Sequence, residues 1–113
     1  MLSESQVESF ARDGFLNGGP ALSEADLTEL TDELERILAV GPDGFADDQP
    51  QPVLFRNLTD NDATPVWQIV NIWEASDAFR RLMHHPFIVR GIAQLTGFGD
   101  LQIWHDQVQY KPA

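Results

Sequence analysis

An α+β fold is predicted for this chain by three features of its sequence. Residues 3–14, 23–41 and 76–97 carry apolar side chains at helical spacing, between residues that start and stop helices. Residues 53–58 and 66–73 are short runs dense in β-branched and aromatic side chains, the composition of strands. A third such run, Leu101–Ala113, follows Gly97 and Gly99 and closes the sequence. No internal repeat is visible, and the one compositional boundary is a polar stretch at 41–52. At 113 residues the chain is at most one small domain, and 42% hydrophobic residues with three Trp suffice for a modest core.

The first helix is announced by Ser3-Glu-Ser-Gln6, a capping box with Ser3 as N-cap and Gln6 three residues on. Val7, Phe10 and Ala11 follow at helical spacing, and Gly14 supplies the C-terminal residue. Phe15-Leu16 is a short apolar segment suited to a sheet edge, and Asn17-Gly-Gly-Pro20 is a turn by composition. No strand and no Lys-Ser/Thr pair flank those glycines, so they do not form a phosphate-binding loop. Ser23 caps the second helix, with Glu24 and Asp26 in its first turn, where the macrodipole favours negative charge. Its apolar stripe is Leu27, Leu30, Leu34, Ile37 and Leu38, and Glu29, Asp32, Glu33 and Glu35 lie on its other faces as a solvated surface. Gly41-Pro42 stops it.

Residues 41–52 form a surface loop. Asp43, Asp47 and Asp48 lack EF-hand spacing and a following bidentate Glu, so calcium is not expected there. Val53–Leu58 is a predicted strand, 59–62 a turn, and Val66–Trp73 a second strand. Both faces of the latter are mostly apolar, which predicts a strand sandwiched between layers. Ser76 or Asp77 caps a third helix with Phe79, Leu82 and Met83 inward and Arg80-Arg81 outward. Pro86 opens a fourth, striped by Phe87, Ile88, Ile92 and Leu95 and ended by Gly97.

Charge and composition narrow the function. A formal charge of −11 argues against nucleic acid, whose phosphates require a basic footprint, and against anionic membranes. No run of about eighteen apolar residues exists to span a bilayer. The acidic, amphipathic N-terminus is unlike a targeting peptide. With no cysteine, a disulfide framework and a thiolate metal site are excluded, and a cytoplasmic setting is expected.

Read as a strand, Leu101–Ala113 places Ile103, His105, Gln107, Gln109 and Lys111 on one face and Gln102, Trp104, Asp106, Val108 and Tyr110 on the other. The first face is polar enough to look into solvent or into a binding cavity. A Lys there attracts an anion, and a Gln donates to a carboxylate. Trp104, Asp106 and Tyr110 are expected to pack or hydrogen-bond behind the strand. His84 and His85 are neighbours on a helix end, about 100° apart, and read as capping or surface residues rather than metal ligands. His105 and Asp106 are adjacent, so a regular strand turns them to opposite faces, and they do not form the same-side pair that iron requires.

Trp104-His-Asp-Gln-Val-Gln-Tyr-Lys-Pro112 resembles the strand that precedes the iron-binding segment in the phytanoyl-CoA dioxygenase family. The opening Gln6–Phe15, with its Asp-Gly-Phe turn, the Leu22–Leu27 helix start, and His85-Pro-Phe-Ile with Leu95-Thr-Gly97 resemble that family's earlier elements in the same order. The resemblance implies the N-terminal helices and first strands of a double-stranded β-helix (a jelly-roll), with residues 1–113 as a single partial domain ending before the iron motif. It implies an enzyme that uses Fe(II) and 2-oxoglutarate to hydroxylate a small organic substrate. Gln107, His105 and Lys111 are then cosubstrate-contacting candidates. The family's His-x-Asp motif and its distal His and Arg have no counterpart within these residues. The chain alone is therefore expected to be inactive and to bind neither cofactor tightly, and its exposed sheet face is a candidate surface for self-association. The alternative is a non-enzymatic acidic module that holds a protein partner through its sheet face or second helix. A third reading is a diverged family member whose active site is lost.

Overall fold

The computed structural model describes residues 1–113 as four α-helices and a three-stranded antiparallel sheet, an α+β arrangement. Helix α1 (Glu4–Asp13) begins at the Ser3–Gln6 capping box and ends at Gly14. Helix α2 (Glu24–Val40) begins at a second reciprocal box, Ser23 with Asp26, in which Asp26 Oδ2 accepts from the Ser23 backbone N–H at 2.9 Å. Phe15-Leu16 joins no sheet. These residues are extended coil between the two helices, and Phe15 is 75% exposed because no strand edge passes beside it.

The loop 41–52 contains no regular structure. Gly44 is required in it by close approach: a Cβ there would stand 2.0 Å from the Val40 carbonyl oxygen. Phe45 folds back from the loop against the core.

Strands β1 (Leu54–Asn57), β2 (Trp67–Val70) and β3 (Gln107–Tyr110) pair in the order β1-β2-β3, with Phe55 opposite Ile69 and Ile69 opposite Val108. The second strand is half the length its sequence predicts. Asn71 adopts a left-handed conformation, φ 55° and ψ 50°, and turns Ile72–Glu74 into a single 3-10 turn. Asparagine tolerates that region better than most residues. The bend puts Ile69 and Ile72 on the same side although they are three residues apart, and both are fully buried. Along β2 only Ile69 is fully buried, while Gln68 and Val70 on the other face are half-buried, so the predicted sandwiching is incomplete.

Helix α3 (Asp77–Met83) starts at Ser76, whose hydroxyl accepts from the Phe79 N–H, and α4 (Pro86–Thr96) starts after His85 with Pro86 in its first turn. Gly97, at φ 75°, takes the left-handed residue that ends α4. The core is Ile37 from α2, Ile69 and Ile72 from β2 and its turn, and Phe79 from α3. Leu30, Leu34, Leu38, Phe55, Leu82 and Val108 pack around it. Leu27, predicted in the same stripe, is half exposed because the α2–α3 contact begins further along the helix. At the other end, Leu2 is pinned to α4. Its N–H donates to Gln94 Oε1 at 2.9 Å and its carbonyl accepts from Gln94 Nε2 at 3.1 Å.

The α2–α3 joint is ionic as well as apolar. Glu33 accepts from Arg36 Nε at 2.8 Å and from the Ser76 hydroxyl at 2.5 Å, while Arg36 Nη2 donates to the Ala75 carbonyl at 2.7 Å. Arg81 pairs with Glu29 across the same joint, and Arg80 lies 4.7 Å over the Trp73 ring.

Candidate functional site

The three-stranded sheet has one face against the helices and one without a covering layer. Alternation and register sort the side chains. Phe55, Asn57, Trp67, Ile69, Val108 and Tyr110 point toward the core side, and Leu54, Arg56, Gln68, Val70, Gln107 and Gln109 share the open side. Hydrophobic contact fixes the first set in place: Phe55 and Val108 touch the buried cluster, and the Phe55 and Trp67 rings meet edge to face at 5.3 Å. That packing determines which side chains the open face presents.

The expected thirteen-residue strand is only four residues long. Residues 101–106 are irregular, so the alternation that would align Ile103, His105 and Lys111 with Gln107 applies within the strand to Gln107 and Gln109 alone. His105 precedes the strand, Lys111 follows it, and Gln107, His105 and Lys111 are all exposed. Trp104, expected behind the strand, is 92% exposed because the chain there is not yet paired to β2.

The irregular stretch ends where Asp106 locks onto the left-handed turn. Asn71 N–H donates to the Asp106 carbonyl at 3.1 Å, Asp106 N–H donates to Asn71 Oδ1 at 3.3 Å, and Asp106 Oδ1 accepts from Ile72 N–H at 3.0 Å. Burial pushes the Asp106 carboxyl above its ordinary range, and the Ile72, Trp73 and Asn71 backbone N–H groups draw it partly back. Its carboxylate therefore serves the backbone turn. With His105 exposed beside it, the pair supplies no pocket for iron, and no group of three or more His, Asp and Glu lies together as a metal site would need.

The open face has a further member that local sequence reading passes over. Arg56 Nε donates to Gln68 Oε1 at 2.8 Å, and Gln68 lies directly across from Gln109. Arg56 and Gln68 sit in separate strands twelve residues apart, and only the register brings them together.

Several concavities lie elsewhere, two of them beside the helices. A pocket of about 230 Å3 between α2, α3 and the start of α4 is lined by Asp26, Glu29, Arg81, His84 and His85, and His85 Nδ1 is buried in the fold without a hydrogen-bond partner. An apolar groove of about 600 Å3 runs between α3, α4 and residues 101–106, with Phe79, Leu82, Ile92, Leu101 and Ile103 among its walls. On the acidic side of α2, Glu29 and Glu33 are held within the molecule by Arg81, Arg36 and Ser76.

No protein-family model matches the chain, and neither a curated protein nor a solved structure matches it. No helix is long and apolar enough to cross a membrane.

Proposed function

We propose that these residues are the N-terminal part of a phytanoyl-CoA dioxygenase-like oxygenase dependent on Fe(II) and 2-oxoglutarate, acting on a small organic substrate. In this reading the sheet begins a jelly-roll, the helices buttress its outer side, and the open face forms one wall of the cosubstrate pocket. The observation that carries it is the division of the sheet: one face packed by helices, the other open and lined by Arg56, Gln68, Gln107 and Gln109. Amide donors and a guanidinium are the groups that bind carboxylates, and a dicarboxylate such as 2-oxoglutarate suits them. The family resemblance of residues 104–112 supports the same reading from the sequence side.

Asp106 Oδ1 accepts from the Ile72 backbone N–H, which supports a role for it in the turn. The reading assigns the iron ligands to a longer parent chain.

The test is the coding frame downstream of codon 113. A His-x-Asp codon pattern within roughly fifteen to twenty codons, followed by a distal His, is expected from the chemistry of a facial triad. A frame without that pattern overturns the reading. At the protein level, residues 1–113 with Fe(II) and 2-oxoglutarate are expected to form no succinate above background, and stoichiometric turnover would contradict the assignment of the iron ligands.

A further inference from the structure

Of the seven Lys and Arg residues, Arg12, Arg36 and Arg81 are neutralised by carboxylates and Arg80 is stacked on Trp73. Arg56 is used differently. It is fixed through Nε to a neutral amide at 2.8 Å, and its Nη1 and Nη2 edge has no hydrogen-bond partner in the chain. A guanidinium held by Nε alone keeps its end-on fork available, the geometry that takes both oxygens of a carboxylate.

The surroundings point the same way. The chain has eighteen Asp and Glu, yet the six strand residues of the open face, Leu54, Arg56, Gln68, Val70, Gln107 and Gln109, include none. Three of the six arginines, Arg12, Arg36 and Arg81, take a carboxylate within the chain, whereas Arg56 takes only an amide. Leaving this one among amides keeps its charge for an outside anion. Gln68 also ties it to the cosubstrate candidates. It receives the Arg56 hydrogen bond on one side and stands opposite Gln109 on the other, so Arg56, Gln68 and Gln109 form a row across the sheet. Neighbouring strands lie about 4.8 Å apart, which places Arg56 about 10 Å from Gln109 at Cα. The long Arg side chain and a short carboxylate-bearing molecule together cover that span.

We propose that Arg56, oriented by Gln68, is the carboxylate anchor of the open sheet face, binding a small carboxylate end-on through Nη1 and Nη2 with Gln109 as a second donor. The identity of the carboxylate as a 2-oxoglutarate-like dicarboxylate rests on the reading in the preceding subsection. The anchor itself rests on the geometry of Arg56. The same chemistry recognises the carboxylate of an organic substrate, and the two sources are separable.

The test is a titration of isotope-labelled protein at constant ionic strength with 2-oxoglutarate, with butyrate as a monocarboxylate, and with succinamide as an uncharged control. The readout is the Arg56 side-chain N–H resonance and the side-chain amides of Gln68, Gln107 and Gln109. Saturable shifts at Arg56 and Gln68 with 2-oxoglutarate but not succinamide are expected. Arg56→Gln should weaken binding about 10-fold or more, and Arg56→Lys by less, as loss of a charge-assisted bidentate pair predicts. Arg56 is exposed, so both variants should retain wild-type resonance dispersion. Equal affinity for butyrate at Arg56 upholds the anchor and assigns it to a substrate carboxylate. Shifts confined to Gln107, with Arg56→Gln binding within about twofold of wild type, overturn the anchor and leave the cosubstrate wall standing. Silence of the whole face at tens of millimolar 2-oxoglutarate and butyrate overturns both.

Discussion

Replacing Glu33 by Gln removes the charge at the centre of the α2–α3 joint while keeping the shape of the side chain. In the wild type, hydrogen bonds from Arg36 and Ser76 lower the Glu33 pKa from 4.5 to about 2. Because the folded value lies below the unfolded one, the stabilisation is fully present above pH 4.5. It is lost as pH falls through about 2. At about 1.36 kcal/mol per pKa unit the ceiling is about 3 kcal/mol. The Glu33 side chain is 26% exposed and that of Arg36 45%, so solvent screens the pair and about 1–2 kcal/mol is the realistic contribution. The assay is urea unfolding of wild type and Glu33→Gln at pH 7, 4 and 3. The variant should be less stable by about 1–2 kcal/mol at pH 7, and the difference should shrink steadily toward pH 3. Adding Ser76→Ala should cost less in the variant than in the wild type, because the 2.5 Å hydroxyl bond then has no carboxylate to meet. A loss that is the same at pH 7 and pH 3 would refute the reasoning, since it would show that the side chain acts by packing and not by charge.

Three further substitutions, at Asn71 and Asp106, address the turn that fixes β3. Asn71→Ala should destabilise by about 1–2 kcal/mol, combining the left-handed penalty for a residue with Cβ and no local hydrogen bond with loss of the 3.3 Å bond to Asp106. Asn71→Gly should recover the backbone part, and equal stability of the two variants in urea melts would contradict the conformational account. Asp106→Asn should act in the opposite pH sense from Glu33→Gln. The folded carboxyl is raised by burial, so its contribution falls as pH rises above the unfolded value of 3.8, and removing the charge should flatten that decline. Stability-versus-pH curves that descend equally for wild type and variant above pH 4 would place the effect elsewhere.

What could be read from the sequence and what could not divide by the distance between cause and effect. The Ser3 and Ser23 caps, the Pro86 start and the Gly97 stop are settled within four residues, and all appear at the predicted positions. Two strands are shorter than their composition predicts, for one shared reason. Val66–Trp73 looks like a continuous strand by composition, and so does Leu101–Ala113. Yet Asn71 and Asp106, thirty-five residues apart, exchange hydrogen bonds that end one and start the other. No local window contains both partners. The site follows the same logic. Gln107 could be singled out because the resemblance of residues 104–112 points to it on a polar strand face, whereas Arg56 is one ordinary arginine in a short apolar segment. Its meaning comes from the register that sets it beside Gln68 and in line with Gln109, and from the absence of any acid on that face. The same register explains why the open face can be polar without cost to stability. Phe55, Ile69 and Val108, the strand residues that touch or form the core, are on the covered side, and a one-residue slip would exchange the two sets. The packing that holds the fold together is thus also what presents the amides and the guanidinium on its outer surface.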